Sequence, residues 1–298
     1  MESLESELAA ARELEVDALA DAIESIGFEC TRCGGCCTGY APDEPGGAPA
    51  DESDGTSADE SDGTPADESD GTPADESGEE PDSEPGGEPS KEPAGSSEPA
   101  SGDPETGDDR EPHTATVFPD EVRELVEATE STHEEADAAY DWRDVARPMP
   151  YGLSEDADGQ SVGETFEWAL ATDGCGDCTF YEESDGQGAC TVHDARPLIC
   201  QTYPFSVALG GTSQPMGEAV DAAGMVRAHE CEGLGRDISR GDAETLAAAL
   251  KQRAIRELEE AIGVRDTYDP TAADRTDADL VVFDSEGPKR SDGEPVDG

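Results

Sequence analysis

The stretch Cys30-Thr31-Arg32-Cys33-Gly34-Gly35-Cys36-Cys37 organises the chain: four of its nine cysteines stand within eight residues. A C-x-x-C turn brings two thiolates onto one soft metal ion, and zinc and iron–sulfur sites both use it. Here the step repeats, with Cys30, Cys33 and Cys36 at intervals of three. Gly34 and Gly35 let the backbone close tightly without Cβ clashes. Cys36 and Cys37 are sequence neighbours, so their side chains are expected to diverge, with Cys37 turned to a second site or a shared edge. The threefold step is also the start of a bacterial ferredoxin run, although the x3-Cys-Pro that completes such a run is missing.

Charge sets the surroundings of this cluster. The 298 residues carry 75 acidic and 18 basic side chains, a formal charge of -57, and only three of the bases are Lys: Lys91, Lys251 and Lys289. Acidic excess with scarce Lys is the pattern of proteins from extreme halophiles. At about 1 M salt the Debye length falls to roughly 3 Å and such self-repulsion is screened. The balance argues against nucleic acid as a partner, because phosphate binding needs a basic face. Met1-Glu2-Ser3 opens no basic, then apolar, leader, so no signal peptide is expected. No apolar run is long enough to cross a membrane. The expectation is a soluble cytoplasmic protein, where clustered thiols stay reduced and serve as metal ligands.

Away from the cluster the chain divides by composition. Residues 1–40 hold a helical stripe, with Leu4, Leu8, Ala11, Val16, Leu19, Ile23 and Ile26 on one face and Gly27 as a stop, followed by the cysteines. Residues 41–112 contain no Phe, Trp, Leu, Ile, Val or Met, and the unit Ala-Asp-Glu-Ser-Asp-Gly-Thr recurs from Ala50, Ala58 and Ala66. Such a segment buries nothing that offsets its ordering entropy, so it reads as a disordered acidic insert. Closing a flexible loop of 72 residues costs roughly 4 kcal/mol plus a constant. A structural zinc site contributes about 10–16 kcal/mol, so ligands on both sides of the insert can share a metal.

In residues 113–265 a helix is expected from Pro119 and another from His133 to Val145. Strands are expected at Thr165–Leu170 and Cys178–Glu183. A strong helix should run from Asp242 to Ile262, stopped by Gly263. Residues 266–298 read as a disordered acidic tail apart from Leu280–Phe283.

The second half of the cluster is Cys178, Cys190, Cys200 and Cys231, with Cys175 as a spare thiol. Between them stands Cys190-Thr191-Val192-His193-Asp194-Ala195-Arg196-Pro197-Leu198-Ile199-Cys200-Gln201-Thr202-Tyr203-Pro204-Phe205. Pro197 suits the start of a short helix, where its missing N–H costs nothing, and Pro204 ends it. Arg196 can donate charge-assisted hydrogen bonds toward thiolates. Tyr203, Phe205 and Phe180 read as core, and His193 and His229 as neighbours of the site or as surface.

These residues, together with Cys30–Cys37, resemble the CxxCxxCC cysteine-cluster family. That family is also called YkgJ-like; zinc or iron chelation is ascribed to it, and it is loosely described as an Fe–S oxidoreductase. The resemblance rests on eight cysteines, Arg196-Pro197-x-x-Cys200 and Tyr203-Pro204-Phe205, and runs from Cys30 to about Gly235. His193 stands where the family usually has Tyr, and Gln201 where it often has Arg. The resemblance implies metal binding by Cys30, Cys33, Cys36, Cys37, Cys178, Cys190, Cys200 and Cys231, with zinc or iron, as ions or an iron–sulfur cluster, as cofactor. The expected fold is α+β: a small, irregular, metal-stabilised domain with flanking helices and the long acidic insert. Eight thiolates suit two tetrahedral zinc ions, or one iron–sulfur cluster and another site. No nucleotide-binding glycine motif, nucleophile elbow or zinc-protease helix is present in the sequence. The alternatives to a metal-binding protein are an iron–sulfur redox or radical enzyme, and an interaction module whose acidic insert recruits a partner.

Overall fold

Ser3 starts the first helix. Its Oγ accepts the Ser6 N–H at 3.3 Å, and α1 runs Leu4–Glu13. The single helix expected over the N-terminal segment is two. The backbone turns extended at Leu14, whose carbonyl is taken by Lys251 Nζ at 2.6 Å, and α2 runs Val16–Ile26. Gly27 then ends α2 as the sequence signals, at φ +75°, with its N–H on Ile23 O at 2.9 Å.

These coordinates come from a computed structural model that describes residues 3–40, 111–132, 140–184, 187–210, 217–221, 224–273 and 278–296. The chain divides into two units, Met1–Pro42 with Asp108–Gly298, and Asp43–Gly107; every described residue belongs to the first. The acidic insert, apart from Glu111 and Pro112, and the expected helical start at His133 lie outside the described residues.

Among the described residues the sixth and last α-helix is the longest, Arg240–Thr267, capped by Ser239 Oγ on the Asp242 N–H. Its buried face is Ala243, Ala247, Leu250, Ala254 and Leu258, at helical spacing. The small alanines let α1 and α2 lie close against it. Leu8, Ala11, Leu19, Ala20 and Ile23 fill that contact, and Phe205, Val207 and Val226 close it. Each fully buried Leu or Ile here contributes about 1.5–3 kcal/mol relative to exposure. Gly263 does not stop the helix. A Cβ at this glycine would lie 2.5 Å from Cβ of Ser285, so the residue serves close approach of another segment.

That segment lies in residues 266–298, where a disordered acidic tail was expected apart from Leu280–Phe283; the strands reach beyond that exception, to Asp284 and through Gly287–Lys289. After β1 (Thr116–Val117), α3 (Pro119–Thr132), α4 (Trp142–Val145), β2 (Ala146–Pro148), β3 (Leu153–Glu155), β4 (Ser161–Phe166) and β5 (Trp168–Leu170) come β6 (Tyr181–Ser184) and β7 (Gln187–Cys190). The chain continues through α5 (Leu198–Thr202), β8 (Phe205–Val207), β9 (Glu218–Ala219), β10 (Val226–Ala228) and α6 (Arg240–Thr267) to β11 (Leu280–Asp284) and β12 (Gly287–Lys289). β11 pairs in parallel with β4, Val282 opposite Thr165, so the C-terminal strands complete a four-stranded sheet in the order β12-β11-β4-β3. Val281, Val282 and Phe283 are fully buried. The reason this acidic stretch orders is a buried network. Lys289 Nζ meets Asp284 Oδ2 at 2.8 Å and Glu286 Oε2 at 2.7 Å, and Trp168 Nε1 donates to the same Asp284 oxygen at 2.8 Å. Buried charges persist when their partners satisfy them in this way.

A second core lies between α3 and the sheet β1-β5-β2. Val117, Val122, Leu125, Val145, Trp168, Leu170, Phe180 and Val192 fill it, and Cys37, Cys178, Cys190 and Cys200 pack on it. Helices and sheets are thus both present, as expected of an α+β fold. The expected strand at Thr165–Leu170 is two strands, split at Glu167, whose φ of +65° turns the chain from one sheet into the other.

Candidate metal centre

The first cluster is built on turns. Arg32 takes a left-handed conformation at φ +58° and Gly34 one at φ +80°. A side chain at Gly34 would run into the Tyr181 phenol, so glycine is required there on two counts. The Cys37 N–H returns to Gly34 O at 2.7 Å, which closes the Gly34–Cys37 turn.

Backbone bonds then stitch this cluster to the distant half. The Cys178 N–H donates to Cys37 O at 2.7 Å, and the Gly188 N–H to Arg32 O at 2.9 Å. On the other flank Glu29 N–H donates to Gly233 O at 3.0 Å, and Phe28 bridges Leu234. Gly39 N–H reaches Asp177 Oδ1 at 2.7 Å. The two halves, separated in sequence by the insert, therefore form one assembly.

The distal cysteines come from regular elements. Cys178 precedes the β6–β7 hairpin, Cys190 stands opposite Tyr181 in it, and Cys200 lies in α5. Pro197 is the N-terminal cap residue of α5 and the helix ends before Pro204, as the two prolines suggested. A long-range cap holds α5 in position. Glu121, in the first turn of α3, accepts the Leu198 N–H at 2.8 Å and the Phe118 N–H at 3.0 Å. The helix expected from Pro119 leaves this role unmarked, because the contact with Leu198 spans 77 residues. Cys231 accepts the Gly233 N–H at 3.4 Å, and Tyr203 OH donates to Glu230 O beside it.

Cys36 and Cys37 do not diverge. Their Sγ atoms lie 3.7 Å apart, in a segment held by the Gly34–Cys37 turn and by the Cys178 N–H on Cys37 O. Two Zn–S bonds of about 2.3 Å at a tetrahedral angle span about 3.8 Å between sulfurs. The pair is therefore spaced like one edge of a tetrahedral thiolate site. Among the described residues no three Cys, His, Asp or Glu side chains converge on one point as a ready metal shell. The donor set suits zinc or iron in kind and the adjacent pair in spacing. Ligation needs the remaining thiols to close on that edge.

Electrostatics single out Cys36. Its thiol is lowered to about 7, chiefly by the hydrogen bond from Cys37, with the Arg196 charge assisting. Cys37 is raised, first by the hydrogen bond it shares with Cys36, then by burial and by the neighbouring Cys36, Cys178 and Cys200. Burial pushes Cys178 up to about 11 and also raises Cys190, Cys200 and Cys231. The Cys36 charge contributes to the upward shift of each of these four thiols, and of the Tyr203 phenol, which burial and nearby thiolates carry to about 12. Cys36 thus stands within electrostatic reach of both flanks of the assembly.

The other candidates are peripheral. Cys175 is exposed, its N–H tied to Asp173 Oδ1 at 2.9 Å. His193 and His229 are exposed; His229 sits edge-on to Tyr203 with ring centroids 6.2 Å apart. Phe180 and Phe205 are core residues and Tyr203 is half-buried. Arg196 Nε donates to His193 O at 3.1 Å, and its charge works downward on the thiols of Cys36, Cys190 and Cys200.

Residues 113–232 match the CxxCxxCC family model, described as "putative zinc- or iron-chelating domain". This is the family that the cysteine spacing resembles, and the match supports metal binding in general. The matched residues carry Cys175, Cys178, Cys190, Cys200 and Cys231, while Cys30–Cys37 lies before them. No curated protein and no solved structure matches the chain. No helix among the described residues is long and apolar enough to cross a membrane.

Proposed function

We propose that this protein chelates zinc or iron through the thiolates of Cys30, Cys33, Cys36, Cys37, Cys178, Cys190, Cys200 and Cys231, and that the ion stabilises the irregular centre. The observation that carries the reading is the Cys36–Cys37 edge of 3.7 Å, with Cys178 hydrogen-bonded to Cys37 through the backbone at 2.7 Å. Four thiolates suit zinc and iron alike, so the donor set is shared by the two metals. Bound metal supplies charge that replaces the protons of thiols which burial otherwise keeps neutral, so loading releases protons. A reducing, cytoplasmic setting, in which clustered thiols stay available as ligands, goes with this reading.

The test is to purify the full chain anaerobically in molar salt and measure zinc, iron and the visible spectrum. Zinc with no visible band, or iron with thiolate charge-transfer absorption, is the expected result. A folded, metal-free protein whose thiol count is unchanged by added Zn2+ or Fe2+ would overturn the reading.

A further inference from the structure

A cleft of about 460 Å3 lies between α5, β8 and α6, and the thiol chemistry makes no use of it. Small-molecule sites occupy about 300–1,000 Å3, so the volume is adequate for one. The walls are mostly apolar, with Phe118, Ile199, Phe205, Leu250 and Leu258 among them. Glu167, Glu257 and Arg253 also line it. The guanidinium of Arg253 is already engaged. It pairs with Glu257 at 2.6 Å and donates to Thr202 Oγ1 at 3.1 Å and to Phe205 O at 3.2 Å. That leaves Glu167 as the unmatched carboxyl of the three. It is half-buried, and among the described residues no donor bonds its side chain. Burial, and then the neighbouring Glu260 and Glu257, push it up. Its backbone adds a second observation. Glu167 holds φ +65°, which disfavours every residue that carries a Cβ. The turn from β4 to β5 asks only for positive φ, and a glycine would meet that without strain. Strain of this kind persists where the side chain serves a site.

We propose that this cleft binds a small molecule with an apolar body and one ammonium group, the ammonium facing Glu167. The proposal stands independently of the chelation reading. An ammonium brings the donors that the Glu167 carboxylate lacks, and it offsets the repulsion from Glu257 and Glu260. A neutral ligand would leave the carboxylate unpaired, and an anionic one would add like charge beside it. The apolar walls take up the rest of the ligand through the hydrophobic effect. Ile199 and Tyr203 both border the cleft and lie on either side of Cys200 along the chain. An occupant therefore bears on the helix that carries one of the thiols.

Octylammonium, 1-octanol and octanoate share one tail and differ only in the head group, so they separate these cases. Each is titrated calorimetrically into the full-length protein in molar KCl, where a partly buried charge pair is screened less than an exposed one. Octylammonium should bind about tenfold more tightly than 1-octanol, the scale of one hydrogen bond between charged partners, and octanoate more weakly than either. Glu167→Gln should bring octylammonium down to parity with 1-octanol and keep the circular dichroism. Glu167→Gly suits the positive φ, should give the same parity, and guards against a folding defect peculiar to the first variant. Ala261→Trp fills the cleft from α6 and should remove binding of all three probes. Absence of octylammonium binding, binding of 1-octanol or octanoate as tight as that of octylammonium, or an ammonium preference that survives in both Glu167 variants would overturn the proposal. So would binding that persists in Ala261→Trp, because the ligand would then lie elsewhere. Unfolding of both Glu167 variants would also overturn it, because Glu167 would then belong to the fold.

Discussion

The two halves of the cysteine assembly are built in opposite ways. Cys178, Cys190 and Cys200 stand on or beside a hairpin and a short helix, and pack on the Trp168 core. Cys30, Cys33 and Cys36 stand on glycine turns with no regular element of their own, and two of the three are exposed. The distal half is positioned by burial, which needs no metal. The proximal half is positioned by a few backbone bonds to the distal half, by its turns, and, on the proposed reading, by the ion. A site of this kind has a preformed wall and a docked flap, and stress applied to each should have different consequences.

The largest stress falls on the wall. Trp168 is fully buried, donates to Asp284 and meets Trp142 edge-on at 5.1 Å. Trp168→Ala should lower stability by about 3–5 kcal/mol in the metal-free protein, read by urea unfolding. A loss confined to the metal-loaded form would reverse the assignment of wall and flap.

Alkaline pH acts on the same wall. Burial raises Cys178 to about 11. An unfolded thiol titrates near 8.5, so the folded state holds the proton more tightly. Stability is therefore complete below about pH 8.5 and falls by ~1.4 kcal/mol per pH unit as pH rises toward the folded value. Metal-loaded protein should show the opposite trend on the acid side, because protons compete with the ion for thiolates. Unfolding measured across pH 6–10, with and without Zn2+, checks both slopes.

Gly34→Ala strikes the flap. Left-handed backbone costs a non-glycine residue about 1–2 kcal/mol, and the methyl would also press on Tyr181. Zinc release should quicken while the far-ultraviolet dichroism of the folded state stays the same. Glu121→Ala tests the link between the halves. It leaves the Leu198 and Phe118 N–H groups without their acceptor, and should cost about 0.5–2 kcal/mol, the range of a lost helix cap. A thermal melt reads it, and an unchanged melting temperature would show that α5 is held by packing alone. The smallest effect belongs to Cys175→Ser, which should stay within about 0.5 kcal/mol and leave metal stoichiometry unaltered, because this thiol is exposed and outside the apolar cluster.

The sequence by itself determined the features that act over a few residues. The C-x-x-C steps, the Gly27 stop, the Pro197 and Pro204 brackets around α5 and the buried face of α6 are all readable from spacing. Helix caps and apolar periodicity are local, so their signals lie beside the residues they govern. The tertiary structure alone decided the rest. It carried α6 through Gly263, ordered the C-terminal segment through the Lys289–Asp284 network, gave Glu121 a partner 77 residues away, and set the Cys36 and Cys37 sulfurs side by side while docking Cys178 on the Cys37 carbonyl. These outcomes depend on which distant groups become buried together, and burial of paired charge or of a backbone carbonyl leaves no periodic trace in the chain.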